Sequence, residues 1–298
     1  MSEPEIPPSS PPEEEGASAL RQFLGLFVVP LLVVILCVAV FIGFGWIAHD
    51  RLTTADCLND LQSGWKPRRT QAAYELSKIL TNDPHALDRE PGARDQLRRM
   101  FQSASEPEVK QYLALVLGRT KDPQAAPLLT AALKDPDNKT RIYALLALGD
   151  LGDRSAAGPI AQVLADPDPG VRKTAAYALG AVSDPAAAPP LRARLEDGIA
   201  DVRWNAALSL ARLGDRAAVP VLETMVDRRL LAQVPDITRE QQEDAMTSGL
   251  AALGAVGGPE EIPVLDRLAK DDPSLKVRQA AIDARKEMAK RAGGTKAP

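Results

Sequence analysis

The sequence predicts an all-α protein: an α-solenoid of about seven helical hairpins, preceded by one transmembrane helix. Three observations predict it. A pattern of small, apolar and basic residues recurs every 31 residues through much of the chain. Twenty-six consecutive residues near the N-terminus, Phe23 to Ala48, carry no charge. The 298-residue chain is 45% hydrophobic but only 4% aromatic, as expected of helices that approach one another through small side chains.

In chain order, residues 1–22 (MSEPEIPPSSPPEEEGASALRQ) come first and are rich in Pro, Ser and Glu. They hold too little apolar surface to offset the entropy of ordering. They read as a disordered acidic tail, or as a Pro-rich ligand for an aromatic-lined groove. The chain has 36 Lys and Arg against 40 Asp and Glu, a net charge of −4. Residues 1–48 hold five of those acids and, among the bases, only Arg21, so residues 49–298 carry 35 of each sign. A neutral folded part argues against bulk attraction to nucleic acid or to an anionic surface, and no nucleic-acid partner is expected. Two cysteines exclude a disulfide-framed scaffold.

Residues 23–48 (FLGLFVVPLLVVILCVAVFIGFGWIA) would make a helix about 39 Å long at ~1.5 Å per residue, enough to cross a ~30 Å hydrocarbon core with some tilt. Four of the five Phe lie here, Trp46 sits where an interfacial anchor belongs, and Pro30 falls where a kink is tolerated in lipid. A cleaved signal peptide is the competing reading. The acidic flank, the length of the run and Trp46 beside a site ending at Ala48 argue against it. Only Arg21 precedes the span, whereas Arg51, Lys66, Arg68 and Arg69 follow it. The positive-inside rule then places the solenoid in the cytoplasm of a single-pass protein of the cell membrane, with the lipid bilayer contacted through residues 23–48.

The repeat is found by sliding VRKTAAYALG (171–180) along the chain. Steps of 31 reach TRIYALLALG (140–149), VKQYLALVLG (109–118) and VRWNAALSLA (202–211). Weaker copies are RRTQAAYELS (68–77), DAMTSGLAAL (244–253) and VRQAAIDARK (277–286). The basic position runs Arg69, Lys110, Arg141, Arg172, Arg203, Ala245, Arg278, with steps of 41, 31, 31, 31, 42 and 33, so two copies carry insertions. Three further ladders keep the period: Asp122, Asp153, Asp184 and Asp215; Gly118, Gly149 and Gly180; Asp135, Asp166 and Asp197.

Each unit reads as two short helices. In residues 184–197 Asp184 is an N-cap candidate, prolines occupy the first turns, and Leu191 and Leu195 lie one turn apart. A second helix over about 201–213 sets Val202, Ala206, Leu210 and Leu213 on one stripe, and Gly214 stops it. Two helices this short cannot bury both apolar faces alone, so stacked neighbours must complete the core. The last copy has Arg285 where earlier copies have Leu, with Lys286, Glu287, Lys290 and Arg291 around it, the polar outer face of a capping repeat. Residues 293–298 read as a frayed end.

This pattern, D-P-x-x-x-V-R-x-x-A-A-x-A-L-G after a Pro-containing helix, resembles the HEAT-like repeats of the phycobilisome lyase type over about residues 53–292. The resemblance implies the solenoid and little about activity, since such repeats occur in lyases, scaffolds and adaptors. It also implies a structural ladder of hydrogen bonds between repeats, on Asp135 with Arg141, Asp166 with Arg172 and Asp197 with Arg203.

No catalytic set stands out. The histidines are His49, at the end of the apolar run, and His85; Cys37 lies in that run and Cys57 stands alone, so no metal or cofactor is expected. The HEAT-like hydroxylases use His-Glu pairs that this chain lacks, and neither a phosphate-binding Gly-rich loop nor a nucleophile elbow occurs. What remains is a surface. The resemblance puts second helices on the concave side, where Tyr112, Tyr143, Lys173, Trp204 and Asn205 follow the basic ladder as candidate partner contacts. Tyr112 and Tyr143 alternatively pack against each other between repeats. In the insertion 228–242, Leu230, Leu231, Val234 and Ile237 either dock on a partner or fold back on their own repeat; the insertion 81–95 reads as a plain polar loop. The expected function is a membrane-anchored scaffold or adaptor that binds protein partners in a membrane-associated complex, without catalysis. The alternative is a bilin-lyase-like or other enzyme subunit holding a substrate or chromophore on the concave face.

Overall fold

A computed structural model describes residues 25, 28–48 and 52–294. It divides into two units with the boundary between Leu52 and Thr53. The predicted disordered tail, residues 1–22, lies outside the described residues, as do residues 295–298.

In the first unit one helix, α1 (Val29–Ala48), covers most of the charge-free run. Leu31 to Leu36, Val38 and Val40 are each half or more exposed. Side chains of α1 are described from Pro30 to Val40, which at ~1.5 Å per residue is about half of a ~30 Å hydrocarbon core. Among the described residues no helix is long and apolar enough to cross a membrane. The transmembrane helix expected over 23–48 is therefore not part of the fold described for this chain.

The second unit is a succession of helical hairpins, with no strand among the described residues. In order they are α2 (Thr54–Ser63) with α3 (Lys66–Asn82), α4 (Ala93–Ser103) with α5 (Pro107–Arg119), α6 (Ala126–Ala132) with α7 (Asn138–Leu151), and α8 (Ala157–Val163) with α9 (Pro169–Val182). Then come α10 (Ala188–Arg192) with α11 (Ala200–Arg212), and α12 (Val219–Val226), followed by a one-turn helix α13 (Arg228–Leu231) and α14 (Arg239–Val256). The last hairpin is α15 (Ile262–Asp271) with α16 (Leu275–Gly294). Gly293 and Gly294 continue α16, so the end predicted to fray from 293 is helical for two residues more.

The aspartate ladders explain where helices begin. Asp122, Asp153, Asp184 and Asp215 each open a 3₁₀ turn by accepting from the backbone N–H two residues on, at 3.0, 2.9, 2.9 and 3.0 Å. That turn leads into the first helix of the unit, which is short: α10 is five residues long. Asp137 and Asp168 cap α7 and α9 by accepting from Thr140 and Val171 N–H. Thr53 and Thr238 head α2 and α14 in capping boxes with Asp56 and Gln241. Gly152 and Gly214, at φ 72° and 76°, end α7 and the turn after α11 in the left-handed region that glycine tolerates best.

Second helices stack on one another in sequence, and the glycine ladder sets their spacing. A methyl group on Gly118 would fall 2.6 Å from the Ala147 Cα, and one on Gly180 would fall 2.6 Å from the Ser209 Cβ. Gly254 faces Ala284 in the same manner, at 2.9 Å from its Cα, whereas Gly149 sits more loosely, 3.4 Å from the Ala178 Cα. Glycine on one helix thus meets a small residue on the next, and the backbones approach until nothing larger fits. Within the run of exact 31-residue steps the glycine ladder lapses at its fourth place. The position 31 beyond Gly180 is Ala211, and the packing of α11 against α14 is thinner than that of the other adjacent second helices.

The predicted stripe on α11 is buried at Val202, Ala206 and Leu210, with Leu213 half-buried. The insertion 81–95 is not a plain polar loop. Ala86 and Leu87 in a 3₁₀ turn (Ala86–Arg89) are only 4% and 2% exposed, because a turn of this kind can direct apolar side chains inward while its polar neighbours stay in water. At the far end Arg285 pairs with Asp266 at 2.8 Å on exposed surface, consistent with a polar outer face.

Candidate functional site

The charged ladder runs between successive repeats. Arg69 reaches Glu106 at 2.7 Å, Lys110 reaches Asp135 at 2.6 Å, Arg141 reaches Asp166 at 3.0 Å and Arg172 reaches Asp197 at 3.0 Å. Each carboxylate thus belongs to the repeat ahead. Within its own repeat the arginine instead donates to a backbone carbonyl: Arg141 to Asp135, Arg172 to Asp166 and Arg203 to Asp197, at 2.8, 2.9 and 2.6 Å. The pairs six residues apart therefore meet through main-chain oxygen rather than through carboxylate. Such an arginine ties the turn it starts from to the turn it crosses to, which is how a one-dimensional stack gains cohesion from polar groups.

Arg203 departs from the pattern. Among the described residues no carboxylate pairs with it. The position 31 beyond Asp197 is Arg228, which turns away to Asp272 in a two-pronged contact at 2.8 and 2.7 Å. Asp272 is nearly fully buried. Burial works against its ionisation, but the Arg228 guanidinium and the Ser274 N–H together hold the carboxyl below its ordinary range.

Near Arg203 the insertion and α11 enclose two clefts that meet at Trp204. One, of about 760 Å³, is lined by Ile199, Arg203, Trp204, Val221, Leu230 and Val234 among others. The other, of about 510 Å³, is lined by Trp204, Asn205, Leu208, Val234, Ile237 and Gln241 among others. Trp204 is half-buried rather than fully exposed, so it forms a wall between the two.

The remaining candidates divide. Leu231 is 1% exposed and folds back onto its own repeat, because α13 turns that side of the insertion inward, so it backs the larger cleft rather than presenting a free side chain. Leu230, on the opposite side, is 43% exposed, and Val234 and Ile237 are half-buried. Asn205 spends its amide on the Asp201 carbonyl at 2.8 Å, and Lys173 crosses to Asp201 of the next repeat at 2.9 Å. Tyr112 and Tyr143 meet edge-on at 5.9 Å, and Tyr74 continues the row onto Tyr112 at 5.5 Å. These tyrosines are thus already engaged in stacking between repeats. Sequence reasoning did not single out Tyr74, whose approach to Tyr112 depends on how the 41-residue step folds, nor Ile199, exposed at the mouth of the larger cleft.

Groups capable of chemistry are scattered. Cys57 is fully buried in α2, and burial, reinforced by Glu75, Asp56 and Asp60, pushes its thiol up to about 11. His85 is exposed and contacts Asp88 at 3.0 Å. His49 lies outside the described residues. Among the described residues no cluster of His, Cys, Asp and Glu could hold a metal ion.

The fold and this repeat geometry define the class: an all-helical repeat protein built of successive hairpins. A family model for HEAT repeats matches residues 94–159, 126–201 and 157–234. Among solved structures, the chain is similar to the complex of CpcE and CpcF of phycocyanin lyase from Nostoc sp. PCC7120, at 20% identity and a TM-score of 0.53 over 80% of this chain and 94% of that one. It is also similar to YibA of Escherichia coli, at 16% identity and a TM-score of 0.52 over 82% and 83% of the two chains. A third likeness is to the karyopherin Kap121p bound to the SUMO protease Ulp1p, at 16% identity and a TM-score of 0.50 over 79% of this chain and 28% of that one. At such identities the likeness is one of fold. No curated protein matches the chain.

Proposed function

We propose that this protein is a membrane-anchored scaffold or adaptor: residues 23–48 hold it in the bilayer, and the solenoid binds protein partners in a membrane-associated complex without catalysis of its own. The observation that carries the binding role is the pair of clefts meeting at Trp204, where aromatic and aliphatic side chains flank polar groups at a surface large enough to seat a peptide segment. The anchor rests on the charge-free run from Phe23 to Ala48 and on the exposed apolar side chains of α1, which water alone would leave unfavourably solvated. With Arg21 before the run and Arg51, Lys66, Arg68 and Arg69 after it, the solenoid faces the cytoplasm.

A photo-crosslinking residue in place of Trp204 in the full chain, expressed in cells, tests the binding role. Cross-linking to a defined protein, lost when residues 228–237 are replaced by a Gly-Ser linker, is expected; no cross-link above that of the exposed control Glu223 would overturn it. Carbonate extraction tests the anchor, which requires the full chain to stay with the membrane and a variant lacking residues 23–48 to be released. Digestion of the solenoid by protease added to intact cells would overturn the orientation.

The second reading is a bilin-lyase-like or other enzyme subunit that holds a chromophore or substrate on the second-helix face. It is favoured by the fold shared with the CpcE–CpcF complex. Bound colour on the purified chain would favour it over the scaffold.

A further inference from the structure

Four successive basic positions of the repeat, Arg69, Lys110, Arg141 and Arg172, each hold an Asp or Glu carboxylate at 2.6 to 3.0 Å. The fifth, Arg203, keeps the backbone half of the arrangement, donating to the Asp197 carbonyl at 2.6 Å, and lacks the other half. The acids nearby are committed elsewhere. Asp201 is held by Lys173 at 2.9 Å, and Asp227 by the side chain and the N–H of Arg229 at 3.2 and 2.8 Å. Arg203 instead lines the 760 Å³ cleft, beside Ile199, Trp204, Leu230 and Val234. A half-buried guanidinium with apolar walls favours an anion that carries hydrocarbon next to its charge. In the four rungs before it that anion is a carboxylate borne on a turn of polypeptide.

We infer that the cleft at Arg203 receives an Asp or Glu side chain of a protein partner, next to an apolar residue that packs on Trp204 and Leu230. The partner then supplies the rung that the chain itself omits. This rests on the scaffold reading and adds the chemistry of the partner's docking segment: acidic and apolar side by side, on an extended or turning stretch of peptide.

The test uses the full chain in phospholipid nanodiscs, with phage-displayed random dodecapeptides as the probe and fluorescence anisotropy of the enriched peptides as the measurement. Enriched sequences are expected to share an Asp or Glu adjacent to a large apolar residue. Replacing that acid by its amide should weaken binding about ten-fold or more, Arg203→Gln should weaken it equally, and the two losses should not add. Arg203→Lys, which keeps the charge, should retain most of the affinity. Arg203→Glu should regain binding to a peptide with Lys in place of its acid, and Arg154→Gln, an exposed control, should change nothing. Peptides that bind in a Trp204-dependent manner but are indifferent to their acid and to Arg203 would overturn the inference and leave the scaffold standing. Failure to enrich any peptide, or sodium oleate occupying the cleft in preference to peptides, would also overturn it; the cross-linking at position 204 then judges the scaffold separately.

Discussion

Arg172 and Asp197 face each other across consecutive repeats in a two-pronged contact, Nε to Oδ2 at 3.0 Å and Nη2 to Oδ1 at 3.1 Å, while Nη1 of the same arginine donates to the Asp166 carbonyl at 2.9 Å. With a further bond to the Pro167 carbonyl at 3.1 Å, one side chain closes four hydrogen bonds between two turns, and the carboxylate it meets is almost wholly shielded from water.

Truncating it leaves Asp197 buried with only Arg194, at 3.8 Å, as a cation. Arg172→Ala should lower stability by about 1–3 kcal/mol, read from the urea midpoint at constant slope. Arg203→Ala, which loses only the carbonyl contact, should cost about 0.5–1.5 kcal/mol. Equal losses at the two positions would sink the ladder account.

The same pair sets a pH dependence. The hydrogen bonds from Arg172 hold the Asp197 carboxyl below its ordinary range, with burial opposing. Its folded value lies below the unfolded value of about 3.9, so its contribution is fully present above that pH and is lost as pH falls through the lower, folded value. Urea midpoints should drop on acidification below about pH 4, and the drop should be shallower in Arg172→Ala. Parallel curves for the two proteins would contradict this assignment.

At Gly118 two effects compete. Alanine is favoured in a helix by about 1 kcal/mol, but its methyl would lie 2.6 Å from both the Cα and the carbonyl oxygen of Ala147, and that backbone cannot swing aside as a side-chain tip could. Overpacking should win, with Gly118→Ala destabilising by about 1–3 kcal/mol. Gly158→Ala, in α8 with nothing within 4 Å of the new methyl, should be neutral or stabilising by up to about 1 kcal/mol. Thermal melts of the two variants separate the outcomes.

Cys57, fully buried and with its thiol raised to about 11, should resist thiol reagents until the solenoid unfolds. In a Cys37→Ser background, Ellman's reagent should register no fast-reacting thiol in the native protein and one after urea. Fast labelling under native conditions would mean that α2 opens locally.

Much of this architecture was legible in the sequence because a solenoid repeats its own instructions. The 31-residue ladders located the hairpins, and Val202, Ala206 and Leu210 pointed inward as their spacing required. The ladder's direction was less legible. Asp197 and Arg203 lie six apart, yet Arg203 takes the carbonyl of Asp197 while the carboxylate serves Arg172 of the previous repeat, and linear spacing cannot distinguish the two oxygens. The glycine ladder was visible as a period, but its cause, a backbone approach between stacked helices, exists only once the helices are stacked. The broken rung did leave a trace: a 31-residue step from Asp197 arrives at Arg228, a base where an acid belongs. The insertion misled in part, since neighbouring leucines 230 and 231 read alike, and only the turn of α13 sends one outward and the other into the core.

Ala211, where the glycine ladder lapses, has a mechanical meaning. Springs in series yield first at the softest one, and a stack whose units touch only their neighbours obeys the same rule. Between α11 and α14 the contact of second helix on second helix is the thinnest of the series, so these are the two neighbours with the least to hold them together if the stack bends. A segment seated in the clefts at that joint would act as a splint, and its arrival would be felt as stiffness along the whole rod.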